Sequence, residues 1–240
     1  MRIKKTGFRA TLLLSTLFLW LAGCAGSVAE RTPLDQENTS FSWPDLAKTD
    51  VNLFVETNQR DVMGYIKQLM VKLYRRNPNQ LHRGSTHQID ANVNRVFGSF
   101  HNWDFAELNH LKGVDCIRLA FQDSFTGDRV LAYTVGLGSM VMASYDNKRE
   151  FFVLDSLDPQ KLYNSARNLE LALWLLGHDR DAQGNLFLLS NESEGAVHNL
   201  SYERLFGKMI GLQDAMSQVV AQKTKRFIKQ ALQFLIFLPI

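Results

Sequence analysis

Residues 130–145 form an unbroken run of sixteen uncharged side chains. The run is shorter than the roughly 20 apolar residues that cross a bilayer as a helix, and it contains Thr134, Gly136, Gly138 and Ser139. It reads as a helix that is apolar on most sides. Such a helix is stable only where other helices cover it all round. Its two glycines predict that one neighbour comes close. The rest of the chain must therefore supply amphipathic partners.

Those partners are legible. Val62, Ile66, Leu69, Met70, Leu73 and Tyr74 recur at helical spacing, the pattern of a helix with one buried face. Asn58 is the expected cap of this helix, Asp61 suits its first turn, and Asn77-Pro78 is the stop. A second helix is expected from about Thr86, with Ile89, Val93, Val96 and Phe97 on one face, ending near Gly98. Shorter helices are expected over 104–112 and 114–122. Asp158-Pro159 combines a capping carboxylate with proline at the first helical position. Leu162, Ala166, Leu169, Leu173 and Leu176 follow on one face, with Gly177 at the end. A long last helix begins near Ser201, with Leu205, Met209, Leu212, Met216 and Val219 as a seam that needs a partner. Residues 151–154 and 186–189 suit short strands, at most one small hairpin. All five prolines fall outside helix interiors. The fold class is all-α: one multi-helix domain of about seven helices over 58–240.

The N-terminus has a different character. Arg2, Lys4, Lys5 and Arg9 come without an acid, an apolar stretch runs from Ala10 to Trp20, and Leu21-Ala22-Gly23-Cys24 follows. A basic segment, a short apolar one and small residues at the end make a secretory signal. The ending Leu21-Ala22-Gly23-Cys24 closely resembles the lipobox of bacterial lipoproteins. That resemblance implies a diacylglycerol on the Cys24 sulfur, cleavage before Cys24 and acylation of the new terminus. Ala25 in place of Asp then implies sorting to the outer membrane in enteric-like bacteria. Residues 1–23 are thus the signal peptide. Residues 24–57 are a lipidated, polar tether broken by Pro33 and Pro44, and 58–240 are the helical domain.

The signal peptide also explains the charge. The chain carries 27 basic and 24 acidic side chains, a net +3, with a pI near 8.8. Loss of residues 1–23 leaves 23 basic against 24 acidic residues. A global electrostatic case for nucleic acid disappears with them. Two cysteines exclude a disulfide scaffold and a four-thiolate zinc site. With Cys24 lipidated, Cys116 is the one thiol left, and beside Ile117 and Leu119 it suits the core.

Several groups could carry chemistry. Asp104, Glu107 and His110 follow His101 in steps of three, and Glu107-x-x-His110 is how di-iron bundles present two ligands. No second Glu-x-x-His is present. Steps of three also drift around a helix by about 60° each, so a solvated face is the main expectation. Asp104, Glu107 and His110 remain the metal candidate. Asp179, Asp181, Gln183, Gly184 and Asn185 begin like a calcium loop, but its closing position is Ser190 rather than Glu, which favours a turn. Ser139 does not sit in a nucleophile elbow. No cofactor is expected.

The C-terminus has no acid after Asp214. Lys223, Lys225, Arg226 and Lys229 share one side of a helix, and Phe227, Ile228, Ala231, Phe234, Leu235 and Leu238 the other. This suits a helix lying on an anionic membrane surface or a last helix closing the core. The functional expectation is a lipid-anchored component of the bacterial cell envelope, non-enzymatic, acting in binding, scaffolding or assembly. It is held to the membrane by its N-terminal lipid and works with an envelope protein partner. One alternative is a metal-dependent envelope hydrolase using Glu107 and His110. Another, suggested by the aromatic and Met content, is an accessory that handles lipid or another apolar ligand.

Overall fold

The computed structural model describes residues 49–98, 101–152, 155–192 and 199–236, without the side chains of 227 and 230–236. The chain divides into Met1–Ser42 and Trp43–Ile240, and every described residue lies in the second unit. That unit is helical: α1 (Asp50–Arg76), α2 (Ile89–Phe97), α3 (Gly113–Leu119), α4 (Arg129–Ser144), α5 (Pro159–His178) and α6 (Ser201–Ile236). Short 3-10 turns cover Pro78–Arg83 and Ala106–Leu108. No strand occurs among the described residues; Arg180–Leu186 and Glu192–Asn199 form isolated antiparallel bridges.

Helix α4 is the expected central helix. Of Arg129–Ser144, Ala143 alone is not buried. Its aliphatic hydroxyls are satisfied within the helix: Thr134 Oγ1 donates to the Val130 carbonyl at 2.7 Å and Ser144 Oγ to that of Val141 at 2.7 Å. Such back-bonding lets hydroxyls sit in an apolar setting without an orphaned donor. Helix α4 is one of four long helices that close a ring, in which α1 packs on α4, α4 on α5, α5 on α6 and α6 on α1. Neighbours run antiparallel. Tyr74 meets Asp128 and Asn58 meets Tyr145 across α1 and the two ends of α4. Tyr202 Oη donates to the Lys72 carbonyl at 3.0 Å, Lys208 lies over the Tyr65 ring, and Lys223 Nζ donates to Asn52 Oδ1 at 3.2 Å across α6 and α1.

The outer side of α4 is covered by α3 and Trp103, and here both glycines are required. A Cβ on Gly136 would lie 2.7 Å from the Ile117 backbone nitrogen and 2.9 Å from the Gly113 carbonyl. A Cβ on Gly138 would lie 2.5 Å from the Trp103 ring. Trp103 itself holds a left-handed backbone, φ 56°, an unfavourable conformation for so bulky a residue that persists only where surrounding contacts impose it. Those contacts are edge-on rings of Phe97 and His101.

Several expected boundaries move. Helix α1 starts at Asp50, eight residues before the expected cap, because Thr49 Oγ1 accepts from the Asn52 amide at 3.3 Å. The expected cap Asn58 is buried mid-helix instead, so helix replaces tether over 50–57. The helix expected over 104–112 is a 3-10 turn that ends in Asn109 and His110, both left-handed. The expected strand at 186–189 is absent; Asn77 holds that segment, accepting from the Leu189 amide at 2.7 Å and donating to its carbonyl at 2.9 Å. Asp158 and Pro159 start α5 as expected, Asp158 Oδ1 accepting from the Gln160 amide at 2.8 Å.

Candidate functional site

The residues singled out for chemistry mostly hold the fold together. His101 Nε2 lies 2.7 Å from the Val96 carbonyl, and its Nδ1 accepts from the Trp103 amide at 3.0 Å. The ring is thus a clamp between two backbone groups. Asp104 pairs with His110, and that hydrogen bond holds the Asp104 carboxyl below its ordinary range. Glu107 turns away to pair with Arg95. The three residues of the metal candidate are therefore divided between two ion pairs. No group of three or more His, Cys, Asp or Glu able to hold a metal occurs among the described residues. The reason is local: without the expected helix, the three-residue spacing no longer stacks these side chains.

Ser139 accepts from the Gly113 amide at 2.8 Å and donates to the Val135 carbonyl at 2.6 Å, bracing α3 against α4. Cys116 is fully buried, its Sγ 3.2 Å from the Ala132 carbonyl, and burial pushes the thiol up to about 12. A thiol so far from ionising is not a nucleophile. Asp181 Oδ1 accepts from the amides of Gln183 and Asn185 at 3.0 and 2.8 Å. The calcium-like segment is thus a turn that consumes its own carboxylate.

Sequence reasoning missed two buried polar features. Arg129 is 7% exposed and donates to the carbonyls of Ala120, Gln122 and Phe125 at 2.6, 2.9 and 2.7 Å, its guanidinium stacked over Phe187. It fixes the turn between α3 and α4. The second feature is Gln213, fully buried on α6. Its Oε1 accepts from Tyr145 Oη at 2.8 Å, and its Nε2 donates to Ser165 and Ser144 at 3.0 and 3.3 Å. Asn58 Nδ2 adds a 2.7 Å bond to Tyr145 Oη. One chain of hydrogen bonds therefore joins α1, α4, α5 and α6. The apolar seam expected on α6 is displaced by one position at Leu212 and Val219, where Gln213 and Val220 are the buried residues.

This chain reaches the surface. Ser144 and Ser165 form part of the floor of an open cleft of about 480 Å³ between the end of α4 and the first half of α5. Asn147, Lys161, Asn164 and Asn168 line it. Lys161 is paired with Asp146 at 2.7 Å, so the lined surface is amide-rich and nearly neutral. Asp146 and Asn147 at its rim are left-handed, at φ 53° and 58°. A smaller cleft of about 240 Å³ adjoins it through Met140, Ala143 and Asn147, and reaches Trp103 and Lys112.

The C-terminal residues form the other exposed feature. Lys225, Arg226, Ile228 and Lys229 are exposed on α6, whereas Lys223 is partly buried against Asn52. Phe227 and Phe234, expected on the apolar side, and Cys24, the expected lipid site, lie outside the described side chains. Among the described residues no helix is long and apolar enough to cross a membrane. No family model, curated protein or solved structure matches the chain.

Proposed function

We propose that the chain is a lipid-anchored bacterial cell-envelope lipoprotein, sorted to the outer membrane, that acts as a non-enzymatic binding, scaffold or assembly component. The observation that carries this reading is the sequence Leu21-Ala22-Gly23-Cys24 behind a basic and then apolar segment. Several buried acyl chains give firm anchoring, at about 0.8 kcal/mol per methylene, where one chain is marginal. The domain supports a binding role in two ways. The side chains best suited to catalysis serve structural bonds: Ser139 braces two helices, Cys116 is sealed in the core, and Glu107 is committed to Arg95. Among the described residues, an open cleft lined by Met140, Ala143, Ser144, Ser165, three asparagines and the Lys161–Asp146 pair offers a concave surface on which a partner can bind.

The test is metabolic labelling with radiolabelled palmitate. Label is expected in the wild-type chain and absent from Cys24→Ser, with the variant released from the membrane fraction. Equal labelling of both, or neither, overturns the anchor.

A further inference from the structure

The register of α1 against α6 shows which end of the bundle carries the start of α1. Three contacts, Lys72 with Tyr202, Tyr65 with Lys208 and Asn52 with Lys223, align the two helices antiparallel over about twenty residues. They set the first residue of α1, Asp50, opposite about residue 224 of α6. Helix α6 continues to Ile236, so about twelve residues, roughly 18 Å at 1.5 Å per residue, run past the start of α1. Among the described side chains of α6, Val220 is the last that is buried. The tether, which is continuous with Thr49, therefore joins the body at the end from which α6 projects.

Charge and apolar surface coincide on this projection. Lys225, Arg226 and Lys229 are exposed and have no carboxylate partner among the described residues. Ile228, between them in sequence, is 53% exposed. The first two turns of α1, at the same end, expose Leu53 and Phe54. The neighbouring loop 146–158 adds no cationic excess: it carries Asp146, Glu150, Asp155 and Asp158 against Lys148 and Arg149, with Lys148 paired to Asp155 and Asp146 to Lys161 of α5. No Asp or Glu follows Asp214. Exposed cations outside any ion pair among the described residues, interleaved with exposed apolar side chains, match an anionic lipid surface, which takes the charge at its headgroups and the apolar groups just beneath.

We infer that the projecting end of α6 is a second membrane contact, docking on anionic lipid beside the lipid anchor and fixing the orientation of the domain. The bundle then stands with the start of α1 toward the bilayer. The inference rests on the proposed lipoprotein reading only for the anchor, so its test uses the mature chain from residue 24 carrying Cys24→Ser, which has no lipid. Flotation is measured at low salt with vesicles of phosphatidylcholine alone and with about 30 mol% of the anionic lipid phosphatidylglycerol added. Association is expected with the anionic vesicles only, and loss of it at high salt. Lys225→Glu, Arg226→Glu and Lys229→Glu together are expected to weaken partitioning roughly 100-fold, at about a factor of five or more per charge. The same variant should keep wild-type circular dichroism. Absence of association with anionic vesicles, or association indifferent to lipid charge or to the triple variant, overturns the inference. So does a concentration-dependent dimer in sedimentation that Ile228→Asp dissolves, which would give this surface to a second copy of the chain. Palmitate labelling reports on the anchor separately, so the two ideas fail by different measurements.

Discussion

Helix α4 and the projecting end of α6 are both free of acidic residues, yet they have opposite fates. Every residue of α4 but Ala143 is buried, whereas past Val220 no described side chain of α6 is. The difference lies in company. Helix α4 has α1, α3 and α5 against it, while α6 outruns the helix it pairs with. Apolar content makes burial favourable, but only neighbours of matching length deliver it. Where they stop, even an apolar side chain such as Ile228, 53% exposed, is left at the surface beside Lys225, Arg226 and Lys229.

Substitutions can break this contrast. The largest effect is expected at Leu137, fully buried in α4. Leu137→Ala should cost about 2–5 kcal/mol, from lost transfer energy and the cavity left behind, read as a lowered midpoint in urea unfolding with an unchanged slope. A cost below about 1 kcal/mol would show that α4 is not the packed centre.

An intermediate effect is expected at Asp128. It caps α4, accepting from the Leu131 amide at 3.0 Å and from Tyr74 Oη at 2.7 Å. Burial raises its carboxyl above the ordinary range. The folded state therefore holds this proton more tightly than the unfolded chain does. The corresponding stability is full below the unfolded value and is lost as pH rises through the folded one. Asp128→Asn, also a good cap, should flatten that part of the stability–pH curve. An unchanged curve between wild type and variant would remove Asp128 as its source.

The smallest effect belongs to the projection. Lys225→Glu, Arg226→Glu and Lys229→Glu together should leave stability within about 0.5 kcal/mol of wild type, as for surface positions without structural partners. A loss above about 2 kcal/mol would mean that this segment packs against the body. The contrast between the two regions would then collapse.

Much of the helical framework was legible in advance. The buried face of α1 from Val62 to Tyr74, the start of α5 at Asp158-Pro159 and the central place of α4 all follow from local periodicity and capping chemistry, which need no distant partner to be recognised. The segment around residues 104–110 was not legible. Its spacing fits a helix, but His101 clamps the backbone on either side and Glu107 is drawn to Arg95, so long-range pairing overrides a weak local preference. The cleft was equally hidden. Asn164 and Asn168 stand four apart on α5, a visible hint, but Ser144 and Asn147 reach it from another part of the chain.

The amino-acid sequence by itself determined that the chain is helical, that residues 130–145 need cover on all sides, and that Gly136 and Gly138 mark a close approach. Each of these depends on side-chain size and period along one element. Only the tertiary structure decided that Gln213 belongs in the core. A buried amide is tolerable only where Tyr145, Ser144 and Ser165 arrive from two other helices to satisfy it. Tertiary structure alone also decided where burial ends among the described side chains of α6, at Val220. That point is set by where α1 begins, a length relation between segments far apart in the chain that no local pattern records.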